Sequence, residues 1–425
     1  MSPFDSAGRV TGLLARTTFR SLNHRNYRLY FFGQLVSLTS TWMQIAALGW
    51  LAFALTGQAR WTAYVMASHM IPAFLFGTLG GWLADHFPKL RLIILAQAGF
   101  LVVSALLAVI TLAGVAEPWH LIVLMVAQGI CLAIDLPARL SFVPSLIPRD
   151  DLINAVGLNS VLFNSARLLG PTVAGVVMAT AASADGPGLC FLINTLTYLP
   201  VLAALRAIRV EQTPGEERPP PAGAWAALTG GFTALLRQPK VAAVLALAAA
   251  VALIGWPLQS LLPAFADRVL GQGDQAYSRM LAAVGFGALM SALAVATFGT
   301  AGRQRWFLLA GVTIIASSLH GLASATGQWS AVVSCVFFGM GMILFFPTAQ
   351  SIVQLRAEEQ LRGRTMAMWG LALSAAVPTG NLIFGPLADV SGVTSVIRGQ
   401  AVAASAIGVG GLILALGVIR RKPRA

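Results

Sequence analysis

Few side chains in this sequence can do chemistry, and those that can stand out against their surroundings. Of 425 residues, 57% are hydrophobic and only 10% charged, against about 25% charged in soluble proteins. Arg167, in "NSARLLGPTVAG", lies about fifteen residues into an apolar stretch. At that depth in a bilayer an arginine costs on the order of 2.5–3.5 kcal/mol on insertion scales, so it faces a cavity or a partner. Asp135, in "AIDLPARL", is the only acid set as deep in the N-terminal half, and we expect the two to pair. The pair could staple two helices, or it could carry a proton and hold an anion. In the second case Asp135 is the proton-sensitive member, because arginine does not deprotonate in proteins.

Uncharged polar residues surround this pair in sequence. Gln34, Ser37, Ser40 and Gln44 form a helical stripe, and Gln128, Asn159, Asn164, Asn194, Gln259 and Asn381 lie within other apolar runs. Together they fit a polar-lined central cavity; singly, each fits a helix–helix hydrogen bond. Trp42, Trp50, Phe53, Trp256, Phe265 and Trp369 could line the same cavity, although Trp50 and Phe53 could equally anchor a helix end at the interface. His69 and His320 are expected to pack, and Cys131, Cys190 and Cys335 to be free thiols. Their spacing fits no metal site, and no cofactor is expected.

The elements that must position these residues are membrane helices. Twelve apolar runs can be read, at 29–55, 61–84, 91–114, 119–142, 153–181, 187–206, 240–266, 278–299, 306–326, 329–352, 364–387 and 394–419. Each reaches about the 20 residues that cross a hydrocarbon core. The fold class expected is an all-α membrane protein: two pseudo-symmetric six-helix bundles around a central cavity, residues 29–206 and 240–419. Residues 1–28 form a basic N-terminal segment and 420–425 a basic tail. Between the halves, 207–239 contains "EQTPGEERPPP" followed by Trp225, Leu228, Phe232, Leu235 and Leu236 at helical spacing, a linker ending in an amphipathic helix on the membrane surface. At an offset of about 210, Pro137 matches Pro347, Gly170 matches Gly380 and Gly175 matches Gly385. Related halves of this kind are the plan of a rocking transporter.

Charge fixes orientation. With the N-terminus inside and twelve crossings, the inner segments hold 23 Lys and Arg and the outer segments four, Arg60, Arg268, Arg279 and Arg398. This places both termini in the cytoplasm. The net charge of +13 therefore reports topology, and no nucleic-acid partner is expected.

The stretches "FRSLNHRNYRLYFFGQLVSLTSTWMQ", "DLPARLSFVPSLIPRDDLINAVGLNS", "ARLLGPTVAG" and "LRGRTMAMWGL" resemble the major facilitator superfamily, in the branch that contains the enterobactin exporter and related drug-efflux permeases. "GGWLADHFPKLRL" resembles its cytoplasmic loop signature at Gly81, Asp85, Lys89 and Arg91, with His86 and Pro88 departing from the pattern. The resemblance implies a latch between the halves. Gly81 would permit close packing, Asp85 would meet the helix N-terminus near Arg364, and Arg139 would be a cationic partner. An ordinary solvated turn is the plain alternative. Gly170, Pro171 and Gly175 resemble the fifth-span motif of antiporters, in which a bent, close-packed helix seals the cavity against proton leak; a kinked packing face is the plain alternative. The fourth-span arginine of proton-coupled relatives is absent, since Met125 stands three residues before Gln128.

The expectation is a monomeric secondary transporter of the inner membrane, exporting drug-like or siderophore-like molecules by alternating access in exchange for protons. No phosphate-binding loop of the G-x-x-x-x-G-K-[ST] type occurs. An importer or facilitator is the alternative within transport. A membrane-embedded enzyme or scaffold is a remote one, because no cluster of nucleophile, base or metal ligands occurs in the apolar runs.

Overall fold

The computed structural model describes residues 20–180, 185–208, 232–298 and 303–418. Among these the regular structure is helical. The helices are α1 (Arg25–Ala54), α2 (Ala59–His86), α3 (Lys89–Leu112), α4 (Pro118–Phe142), α5 (Leu152–Thr180), α6 (Gly186–Ala207), α7 (Pro239–Gly255), α8 (Leu258–Arg268), α9 (Gly273–Phe298), α10 (Gln304–Ala323), α11 (Gln328–Arg356), α12 (Arg362–Ser391) and α13 (Val393–Val418). Helices suit an apolar solvent because each closes its own backbone hydrogen bonds.

Among the described residues nine helices are long and apolar enough to cross a membrane, or ten with α2 counted as one span. α2 bends by 55° between Ala59–Gly77 and Leu79–His86, within a run holding Gly77, Gly80 and Gly81, where small residues free the backbone to kink. α5 is a single helix of 29 residues, long enough to cross a hydrocarbon core. The run read at 240–266 is not one rod. It breaks at Trp256-Pro257 into α7 and α8, since Pro257 has no N–H to continue the ladder. Residues 232–237 are helical, with Leu235 buried and Phe232 and Leu236 exposed; Trp225 and Leu228 lie outside the described residues.

Packing repeats between the two parts of the chain. In the first part α2 packs on α4, α1 on α5 and α6, and α3 on α4 and α6. In the second, α9 packs on α11, α7 on α12 and α13, and α10 on α11 and α13. The repeat extends to single glycines. A Cβ on Gly80 would lie 1.8 Å from the Ala133 carbonyl oxygen, and one on Gly129 2.3 Å from that of His69, so α2 and α4 touch through backbone. Their counterparts Gly287 and Gly339 would meet the carbonyls of Val336 and Val284 at 1.8 and 1.9 Å between α9 and α11. Small residues let backbones approach this closely where no hydrophobic force drives helices together.

Gly81 does not share this role. A Cβ there would meet nothing within 4 Å, because one residue turns the helix face away by roughly 100°. The close approach belongs to its neighbour Gly80. Gly80→Ala should therefore destabilise the protein in detergent by about 1–3 kcal/mol through overpacking, read as a fall in thermal unfolding temperature. Gly81→Ala should leave that temperature unchanged.

Candidate functional site

Two helix pairs join the parts across a seam, α2 with α12 and α5 with α9. At one end the seam is tight. The Asp389 carboxylate of α12 accepts the backbone N–H of Ala59 at 2.8 Å and of Arg60 at 3.0 Å. Those are orphan donors of the first turn of α2, where a negative charge also meets the positive helix end. Arg268 lies 3.2 Å from the same carboxylate, and its guanidinium also donates to the Gly57 carbonyl across the seam. Trp50 stacks on Tyr277 with ring centroids 6.4 Å apart. Gly385 packs on Ala63, and Gly175 on Ser278. Toward the opposite end, a Cβ on Gly77, Gly81, Gly363 or Gly370 would meet nothing within 4 Å.

Two cavities lie beside this seam, the larger one walled by the first part alone. A cavity of ≈ 1040 Å³ is lined by Tyr30, Ser37, Gln97, Asp135, Arg139, Asn159, Phe163 and Tyr198 among others. A second, of ≈ 690 Å³, lies toward the tight end and takes walls from both parts: Trp42, Gln44, Met66 and Met125 from one, Trp256, Gln259, Ser260 and Asn381 from the other. His69 and Gln128 line both. The two spaces therefore abut.

The expected pairing of Asp135 with Arg167 is not what the structure holds. Asp135 pairs with Arg139, four residues later on α4, where one helical turn puts the two on the same face. Gln97 donates to the other carboxylate oxygen at 3.3 Å, and Arg139 also donates to Gln34 of α1. The pair is well buried, with side-chain exposures of 5% for Asp135 and 16% for Arg139. Arg139 is thus occupied inside the bundle and does not meet Asp85. Asp85, His86 and Arg91 are exposed, and the Lys89 ammonium reaches only the Ser141 carbonyl, at 3.5 Å.

Arg167 lies instead between two indoles, 5.3 Å from the ring centroid of Trp42 and 5.8 Å from that of Trp256. Local packing places it there. Gly170, three residues on, faces α1 so closely that a Cβ would lie 2.4 Å from the Trp42 Cβ, and residues three apart share a face. Phe163, one turn earlier, meets Trp42 edge-on. Pro171 sits inside α5 and removes the backbone bond that would close onto Arg167. Trp256 reaches the seam because the α7–α8 break lies at that residue.

The polar stripe divides by role. Gln34 holds Arg139, and Ser37 lines the larger cavity. Gln44 centres a buried network: it donates to Gln128 at 2.9 Å and accepts from Ser104 at 2.6 Å and Asn194 at 2.7 Å. That network ties α1, α3, α4 and α6. Ser260 donates to Asn381 at 2.9 Å. Gln259 lines the smaller cavity with its amide nitrogen buried and unpartnered. The side chain of Asn164 lies outside the described residues. Of the aromatic set only Trp42 and Trp256 line a cavity; Phe53, Phe265 and Trp369 are buried in the core. His320 meets Ser405 at 3.2 Å, whereas His69 faces both cavities with Nδ1 unpartnered. The sequence does not single out Gln97 or Tyr198, and His69, expected to pack, lines both cavities instead. The signal for Gln97 was Ser104, seven residues on and so on the same face of α3.

Removing one member of the buried ion pair should be worse than removing both. Asp135→Ala leaves Arg139 without its anion and should cost about 3–5 kcal/mol. Asp135→Asn with Arg139→Gln carries no charge and should recover most of that loss, measured by thermal unfolding in detergent.

Known proteins with these features are transporters. The enterobactin exporter of Salmonella choleraesuis is 26% identical over 424 residues, covering 94% of each chain. The multidrug efflux pump Tap of Mycolicibacterium fortuitum is 24% identical over 377 residues, 86% of this chain and 89% of that one. The staphyloferrin A transporter of Staphylococcus aureus is 25% identical over 178 residues, and this match spans only 45% of its length. Among solved structures, the nucleoside transporter NupG superposes with a TM-score of 0.73 at 11% identity, over 92% of this chain and 99% of that one. A bacterial homologue of the human lysosomal transporter Spinster, inward-facing and occupied, gives 0.72 at 14% identity over 94% and 99%. At such identities these two speak for the fold alone. The match of residues 16–422 places this chain in the transmembrane secretion effector family of the major facilitator superfamily, a family of multi-pass membrane transporters and not of enzymes.

Proposed function

We propose that the protein exports small molecules from the cytoplasm by alternating access, in exchange for protons. Its plan is twelve crossings in two pseudo-symmetric bundles, with α7 and α8 together forming the seventh. The lysine and arginine distribution puts both termini and the linker inside. The tight Asp389 end then faces outward, and the state described here is open to the cytoplasm. The observation that carries this reading is the ≈ 690 Å³ cavity with walls from both parts, on a seam that Asp389 ties at one end. A transporter needs such a site at the repeat interface. The names of the relatives support export, and they point to siderophores and drugs as candidate cargo.

Asp135 is the group best placed to exchange a proton. It lines the cavity, and it is neutralised by Arg139 only while ionised. Protonation of its carboxylate would release the Arg139 guanidinium to Gln34 and to the cavity. Asp85 would form its latch with the start of α12 when the inner end closes; in the open state it stands exposed.

The test is export into everted membrane vesicles with an acidic lumen, with siderophores and aromatic dyes offered in turn. Cargo should accumulate, and each addition should draw protons out of the lumen. Asp135→Asn with Arg139→Gln should keep its fold and lose proton-coupled accumulation. Uptake that persists without a gradient and stops at equal concentrations would favour a facilitator. Uptake only into right-side-out vesicles would favour an importer.

A further inference from the structure

The site at the seam holds a cation that the described residues leave without an anion. Arg167 is half-buried, and among the described residues no carboxylate forms an ion pair with it. Asp135, the one deep acid nearby in sequence, is taken by Arg139 and Gln97. What surrounds the guanidinium is aromatic, Trp42 at 5.3 Å and Trp256 at 5.8 Å. Indole faces attract a cation through their quadrupole but bring no net charge. With the Asp135–Arg139 pair neutral overall, Arg167 gives this part of the seam a net positive charge.

A second observation agrees on what is missing. The Gln259 amide nitrogen is buried without an acceptor in the cavity that Trp42 and Trp256 also line, and a buried donor left unmatched is penalised. The site thus lacks a negatively charged acceptor and otherwise presents flat apolar surface.

We propose that the cargo is an anion borne on a flat unsaturated ring, such as an aromatic carboxylate. Its oxygens engage Arg167 and the Gln259 amide, and its ring lies against Trp42 and Trp256. Because Trp42 belongs to the first part and Trp256 to the second, the cargo would touch both walls and so bias how they meet. This deepens the export reading above and rests on it.

The test compares three probes that share one ring: 2-naphthoate, 2-naphthamide and 2-naphthylmethylammonium. Binding is measured by equilibrium dialysis to the full chain in phosphatidylcholine nanodiscs. The expected order is anion, then amide, then cation. The anion should bind tighter than the cation by about tenfold or more, the scale of one charged hydrogen bond. Arg167→Gln should erase that preference, and Arg167→Lys should keep part of it. Trp256→Leu should weaken all three probes without changing their order. The wild-type order alone overturns the proposal if the cation binds as well as the anion, whether or not any variant folds. An unchanged order in a folded Arg167→Gln protein overturns it too. Nanodiscs containing phosphatidylglycerol make the third arm: loss of naphthoate binding there would mean that Arg167 serves a lipid headgroup, and the cargo assignment falls. The same probes in everted vesicles separate the two readings. Accumulation of amide and cation without anion preference leaves export standing and removes this inference. Arg167-dependent anion binding with no accumulation of any probe does the reverse.

Discussion

One carboxylate closes an end of the molecule from across the seam. Asp389 fills two backbone donors at the start of α2, at 2.8 and 3.0 Å, and α2 belongs to the opposite part of the chain. Its scale suits something that must open. A charge at a helix end is worth about 0.3–1 kcal/mol when exposed and up to about 2 in partly buried settings. The Arg268 partner is 36% exposed, so its share is further screened by water. Contacts within each part are of another kind. Gly80 and Gly287 put backbone against backbone, at distances where a single methyl group does not fit. The smaller cavity lies on the seam, with walls from both parts.

The glycines of α5 and α12 extend this division. Gly170 packs α5 on α1 and Gly380 packs α12 on α7, each inside its own part. Five residues on, Gly175 meets Ser278 and Gly385 meets Ala63, each across the seam. One helix thus holds its own part with the first glycine and the opposite part with the second, on faces about 140° apart. The duplication accounts for the spacing whether or not protons are exchanged. Pro171 adds one thing that α12 lacks at the matching position, where Asn381 stands: a missing backbone bond beside Arg167. The fixed charge and the loosened backbone coincide in the half whose counterpart carries an amide.

Much of this was legible in the sequence. Apolar runs located the helices to within a few residues, and the offset of about 210 between Gly170 and Gly380 identified contacts that the fold repeats. What sequence could not supply was rotation about each helix axis. Asp135 and Arg167 were joined because both are charged and deep, yet Arg139, one turn from Asp135, had the shorter reach. The loop signature points to Gly81, whereas the close contact belongs to Gly80. The break at Pro257 was visible as a proline but not as the step that carries Trp256 to the seam. The docked N-terminal segment was likewise out of reach: Asp151 binds Arg20 at 2.6 Å and His24 at 2.7 Å, joining residues far apart in the chain that no local pattern connects.

The central claim is that the two parts open at one end as they close at the other. Spin labels in a background lacking the three native cysteines test it most directly. One pair, at Leu55 and Gln272, reports the tight end; another, at His86 and Glu359, reports the loose end. In Asp389→Asn, which removes the charge that caps α2, the account predicts a longer Leu55–Gln272 distance together with a shorter His86–Glu359 distance. Two unchanged distributions, or two that lengthen together, would contradict it.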